Sequence, residues 1–186
     1  MNLNFLKKYF FFLFLVYTII GCSSSEYRWQ SSQQAINNSY KLKTGDIIVK
    51  DKLLTDPLSW LGHSSVMISD NRIGDFPMPG KDYYTISVNA WLNEPSRKVI
   101  VLRYKHFDKA FEKQFLKNIQ TYGYGKYRTS FFKKKDSDFY CSKFVWFLFY
   151  KTAQDLGYNL DLDSNQGILI FPYDFLNSSD LTQIIL

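Results

Sequence analysis

From residue 43 onward, apolar and polar positions alternate over short stretches and then shift to a longer helical period. KTGDIIVK (43–50) sets a Gly-Asp turn before a β-branched run and predicts a strand. DKLLTDPLSWLG predicts a loop, and HSSVMIS (63–69) a second strand. Asp70-Asn71 fits a tight turn, from which RIGDF (72–76) returns as a third strand until PMPG breaks it. YYTISV (83–88) and KVIVLRY (98–104) predict two more. DKAFEKQFLKNIQTYG (108–123) predicts a helix. Asp108 suits its N-cap and Gly123 its stop. Phe111, Phe115, Ile119 and Tyr122 recur every three to four residues, on one face. In KKKDSDFYCSKFVWFLFYKTAQDLG, Ser137 or Asp138 is the expected cap of a helix running to about Leu156, with Gly157 as its stop. Phe144 to Tyr150 is apolar on all sides, as in a helix buried all round. Seven residues fall well short of the ~20 that span a bilayer, so this is a core helix.

The chain ahead of these elements has a different character. Lys7 and Lys8 precede an apolar run of 12 residues, Tyr9 to Ile20. That is shorter than the ~20 residues of a membrane span and matches a secretory leader. Ile19-Ile20-Gly21-Cys22 resembles a bacterial lipobox. The resemblance implies cleavage before Cys22, a diacylglycerol thioether on its sulfur and an acylated new N-terminus. Two or three acyl chains on one residue anchor stably where one does not. The alternative is an uncleaved anchor helix. In a Gram-negative host, Ser23 after the cysteine resembles the pattern sorted to the outer membrane, facing the periplasm. Residues 22–43 are rich in Ser, Gln and Asn and read as a lipidated N-terminus and polar tether. Residues 44–186 are expected to form one domain. Loss of residues 1–21 removes two lysines and no acid, lowering the formal charge from +6 to +4. Such a mild excess suits an anionic envelope surface and does not call for nucleic acid.

Cysteine content then narrows the chemistry. With Cys22 lipidated, Cys141 is the one remaining thiol, so it has no partner for an internal disulfide. Only His63 and His106 accompany it, which rules out a cysteine-rich zinc site, and no metal or organic cofactor is implied. Cys141 is either a buried small residue or a nucleophile. The first turn of a helix favours thiolate over thiol, because the helix dipole is positive there. A nucleophilic cysteine needs a base. His106, in the polar RYKHFDK, reads as a solvated loop residue. His63, after a glycine and at the head of an apolar strand, reads equally as a structural residue or a base. Asp75, on the following strand, is either an ordinary turn aspartate or a cross-strand partner that orients the imidazole.

GDIIV (45–49), GHSSVMIS (62–69), IGDFP (73–77), YGKYRTSFF (124–132), YCSKFV (140–145) and IFPYDFLNSSDL (170–181) occur in an order and spacing that resembles the YiiX-like (YebB-like) proteins. These form a circularly permuted branch of the NlpC-type, papain-like superfamily. The resemblance covers roughly residues 40–181. It implies an α+β fold in which an antiparallel sheet or barrel packs on a buried helix that carries the cysteine at its N-terminus. It implies Cys141 as nucleophile, His63 as general base and Asp75 as the orienting acid, where many relatives have a glutamate. Lys143 stands where relatives commonly carry a glutamate, and is expected either to favour the thiolate further or to signal a different substrate. The backbone N–H of Cys141 is one expected oxyanion donor, with Tyr140 or Tyr127 as the second. Fold relatives cleave peptidoglycan peptides, and other permuted members handle acyl groups on lipids. The expected partners are therefore membrane lipid through Cys22 and a peptide, peptidoglycan or acyl-lipid substrate, without nucleic acid. A competing reading is a non-catalytic envelope-binding lipoprotein with a retired groove, in which Lys133-Lys134-Lys135 contact anionic lipid or polymer.

Cells fed a labelled fatty acid should incorporate it into this protein, and Cys22→Ser should abolish the label. A label that survives the substitution would remove the lipobox reading.

Overall fold

The computed structural model describes residues 27–186. In chain order the elements are β1 (Gln30–Ser31), α1 (Ser32–Asn37), β2 (Ile47–Lys50), β3 (His63–Ser69), β4 (Arg72–Asp75), β5 (Tyr84–Ser87), α2 (Val88–Leu92), β6 (Lys98–Tyr104), α3 (Lys109–Tyr122), β7 (Lys126–Tyr127), β8 (Asp138–Phe139), α4 (Cys141–Asp155), a 3₁₀ turn (Pro172–Asn177) and β9 (Leu181–Ile184). The leader and the lipobox lie outside the described residues.

The main sheet runs β1-β6-β2-β3-β4-β5, every pair antiparallel. β9 shares one edge of β6 with β1: β1 takes Lys98 and Val99, and β9 takes Val101 to Tyr104. The α+β expectation therefore holds. A barrel does not form, because β5 at the far edge pairs with β4 alone and the sheet stays open. β7 and β8 make a separate two-residue parallel pair.

The sheet separates two apolar layers. On one face Val49, Val66, Phe76, Ile100 and Leu102 meet the aromatic residues of α3 and α4. On the other, Ile48, Met67, Ile73, Val99 and Val101 meet α1 and α2 through Ala35, Trp91 and Leu92. In α4, Phe144 to Phe149 are all buried. Each side chain of that kind contributes about 1.5–3 kcal/mol, so the helix and its first residue are firmly placed.

Two expectations change. The polar stretch read as a tether joins the domain from Tyr27 on, where Tyr27 and Trp29 pack against the core. The Gln30 side chain donates to Ile184 O (3.3 Å) and accepts from Leu186 N (2.6 Å), and Ser32 Oγ donates to Arg97 O (2.8 Å). One buried apolar residue, Ala35, and the half-buried Ile36 seat α1 on the sheet, too few apolar positions to show as a pattern. The last long helix starts at Cys141 rather than at Ser137 or Asp138, since Asp138 and Phe139 are extended to pair with Lys126 and Tyr127. Its N-cap is Tyr140, with no side-chain cap. The stop at Gly157 is as expected, with φ +85°. Asp108 caps α3 by accepting from Phe111 N at 2.8 Å.

Gly62, just before β3, has φ +78°, and a Cβ there would lie 2.9 Å from both Lys50 O and the Tyr173 ring. Gly62→Ala should lower stability by at least about 1–2 kcal/mol from the left-handed backbone alone, read as a fall in Tm of several degrees. An unchanged Tm would show that this entry to β3 is not conformationally constrained.

Candidate active site

Three element ends meet at one end of the sheet: the first residue of β3 (His63), the last of β4 (Asp75) and the first of α4 (Cys141). Side chains alternate faces along a strand. His63 and Asp75 share the face of Met67 and Ile73, while α4 lies on the opposite face. His63 stands at the rim and reaches both.

His63 Nε2 is 2.7 Å from Asp75 Oδ2, and Asp75 is 1 % exposed. Trp91 Nε1 donates to the same oxygen at 2.9 Å. With Nε2 engaged, Nδ1 is the ring nitrogen left for Cys141, whose charge acts on the imidazole. The thiol is half-buried, with Ser142 Oγ 3.9 Å from its sulfur. Burial pushes the Cys141 thiol up and Asp75 adds to that, but the charge and hydrogen bond of His63, with the Ser64 amide, bring it below the ordinary thiol value. Burial would depress His63, yet the charges of Asp75 and Cys141 and their hydrogen bonds raise it to about 10. The two shifts describe one ion pair. It is lost at low pH, when Cys141 protonates, and at high pH, when His63 loses its proton near 10.

A further layer orients the acid. Lys50, paired across from His63, donates to Trp91 O and to Glu94 Oε1, both at 2.6 Å, and its Nζ lies 3.8 Å from the Trp91 ring centroid. Burial lowers its pKa, with Glu94 opposing. Lys50 thus holds the indole that holds Asp75. Trp91 carries no sequence signal for this role, being 16 residues from Asp75 on a helix of five residues.

Cys141 lines a cleft of about 260 Å³ with Leu61, Met78, Tyr127, Tyr140, Leu169 and Phe171 among its walls. A second cavity of about 450 Å³ lies on the Asp75–Trp91 side, and His63, Pro77 and Met78 wall both. Tyr140 and Tyr127 are thus both at the cleft, but they differ. Tyr140 OH accepts from Ile170 N at 2.9 Å. Together with Ser142 Oγ, which donates to Ile170 O at 2.7 Å, it fixes the cleft wall. Tyr127 is half-buried, and burial, then the charges of Cys141 and Asp75, push it up to about 12. It therefore keeps its proton and faces the negative charge.

Lys143 is fully buried and its Nζ donates to Lys135 O (2.8 Å) and Asp138 O (2.7 Å). It staples the segment ahead of α4, and the thiol responds to His63, Asp75 and Ser64 instead. Burial lowers its pKa to about 8, against the opposing pull of Asp138. The lysine run is also engaged within the domain: Lys133 with Asp163, Lys134 over the Tyr150 ring (5.3 Å) and Lys135 with Asp138 (2.5 Å). His106 is exposed at the β6–α3 turn, away from this site. Among the described residues no group of three or more His, Cys, Asp or Glu is arranged to hold a metal ion.

Alkylation of Cys141 by iodoacetamide should be fast well below pH ~8.5, the ordinary thiol value. In His63→Ala the opposing influences of burial and Asp75 remain, so the profile should move above that value. A wild-type profile centred on an ordinary thiol would refute the ion pair. No family model, curated protein or solved structure matches this chain, so the reading of the site rests on its own geometry.

Proposed function

We propose that this chain is a membrane-anchored cysteine hydrolase of the cell envelope, held by a lipidated Cys22 and acting on an amide or ester with a Cys141–His63–Asp75 triad. The observation that carries the reading is a half-buried thiol electrostatically paired with His63, whose ring is hydrogen-bonded to a buried carboxylate with two donors. A permuted papain-like arrangement is supported by the order of the chain, with the histidine strand before the cysteine helix, and by the antiparallel sheet on which that helix packs.

The chemistry follows from the groups present. The Cys141 thiolate attacks the carbonyl carbon, and the carbonyl π electrons move to oxygen. The N–H groups in the first turn of a helix lack intrahelical partners, and Tyr140 gives α4 no side-chain cap. The Cys141 N–H and the Tyr127 hydroxyl are the donors assigned to the oxyanion. His63 passes its proton to the leaving nitrogen or oxygen as the C–N or C–O bond breaks, leaving an acyl-thioester. It then takes a proton from water as that water attacks, and the thiolate is released. Asp75 keeps the imidazole oriented and stabilises its charged form throughout.

For the substrate, peptide amides of peptidoglycan stand as the first class. A second class, acyl groups of lipids or lipoproteins, is favoured by the cleft itself, whose walls include Leu61, Met78, Leu169 and Phe171. Purified sacculi and phospholipid or lipoprotein vesicles separate the two: the first class predicts soluble fragments from sacculi, the second products from vesicles. On whichever substrate is turned over, Cys141→Ala should abolish turnover, and His63→Ala should lower kcat/KM by about 10²–10⁴-fold. A slow thiol with no turnover on either would leave the non-catalytic envelope-binding lipoprotein.

A further inference from the structure

Large apolar side chains are exposed on the loops that border the Cys141 cleft. Trp60 and Leu61 lie between β2 and β3, and Met78 between β4 and β5. Phe131 and Phe132 follow Thr129 of the cleft wall by two and three residues, and Ile168 precedes Leu169 of that wall. Trp60 is 53 % exposed, Phe131 70 % and Phe132 76 %. The loops come from four separate stretches of chain, yet Leu61, Met78, Thr129 and Leu169, one from each, line the same cleft as His63 and Cys141. Exposed apolar groups gathered around one opening mark an interaction surface rather than scattered exposure.

The occupant follows from where the chain enters the fold. Tyr27 and Trp29 already pack on the domain, and Trp29 rests against the Tyr173 ring at 5.7 Å. Tyr173 in turn abuts Gly62, the residue before His63. Because the chain packs on the domain from Tyr27, only four residues lie between Cys22 and that point, five Cα steps that reach roughly 18 Å at full extension. A domain on so short a leash has little freedom to leave the bilayer. Its point of entry is two ring contacts from the cleft.

We propose that the cleft end of the domain docks on the phospholipid bilayer that carries its own anchor, with Trp60, Phe131, Phe132 and Ile168 inserted at the headgroup–acyl boundary and the Cys141 cleft opening toward the lipid. This rests on the reading of Cys22 as the lipidated residue. Tryptophan and phenylalanine suit that boundary, where apolar rings meet a wet headgroup layer. A substrate acyl chain then enters the apolar cleft from the bilayer without crossing water, which selects the lipid or lipoprotein class for the hydrolase.

Trp60 is a native reporter. The lipidated full chain is reconstituted into phosphatidylethanolamine–phosphatidylglycerol vesicles with and without bromine on the acyl chains. Subtracting the emission of Trp60→Phe isolates the Trp60 signal. The expected result is a blue-shifted Trp60 emission that brominated lipid largely quenches, and that Phe131→Ser/Phe132→Ser restores while the chain still floats with the vesicles. Equal Trp60 emission in both vesicle types, from chain that floats, overturns the docking. A chain that does not float removes the anchor and overturns it at its premise. Slow alkylation of Cys141 beside a quenched Trp60 would instead strike the hydrolase reading and leave the docking standing.

Discussion

In β3 the residue Ile68 has no partner of its own: Met67 faces Ile73, Ser69 faces Arg72, and the register shifts by one between them. Continuing the pairing from Val66–Gly74 sets Asp75 opposite Ser65, on the face that His63 shares. Carried on from Ser69–Arg72 without the extra residue, the same hairpin would set Asp75 opposite Val66, whose side chain belongs to the layer under α4. The carboxylate would then enter an aromatic core and His63 would lose its acid. A strand's side chains have a period of two, so one inserted residue exchanges the faces. The orientation of the imidazole depends on that single irregularity.

The remaining parts of the site follow from fixing both faces independently. On one, a helix whose middle is aromatic on every side brings Cys141 to the rim. On the other, Glu94, Lys50 and Trp91 form a chain of contacts that ends on Asp75. His63 is where the two supports meet, and it also divides the two cavities. Its neighbours are buried and leave it few other orientations.

Much of this was legible because it is written in local periodicity. The short apolar runs of β2, β3 and β6, the alternation in YYTISV and the three-to-four spacing in α3 report these elements directly, and Asp108 caps where expected. What was not legible depends on distant partners. The start of α4 is moved by two residues of β8 that pair with β7. β1 and α1 are polar in composition, held by glutamine and serine side chains bonded to Ile184, Leu186 and Arg97. Lys143 shows why nearness in sequence misleads. Two positions along a helix are about 200° apart around its axis, and its amine turns to the carbonyls of Lys135 and Asp138. The pairing of His63 with Asp75 was inferable from the strand–turn–strand pattern, whereas the indole behind it was not.

The side chain of Gln30 bonds the backbone of both Ile184 and Leu186, and β1 and β9 occupy successive lengths of the same β6 edge. The first and last strands of the domain are therefore neighbours in space. A short linker could close the chain there and let it be reopened elsewhere, at an exposed loop between the histidine strand and the cysteine helix, with each contact of the site kept. Such a chain would read cysteine first and histidine second. The order in which a polypeptide visits its nucleophile and its base is thus a matter of history rather than of mechanism, and motif order alone is a poor guide to kinship among architectures whose ends meet.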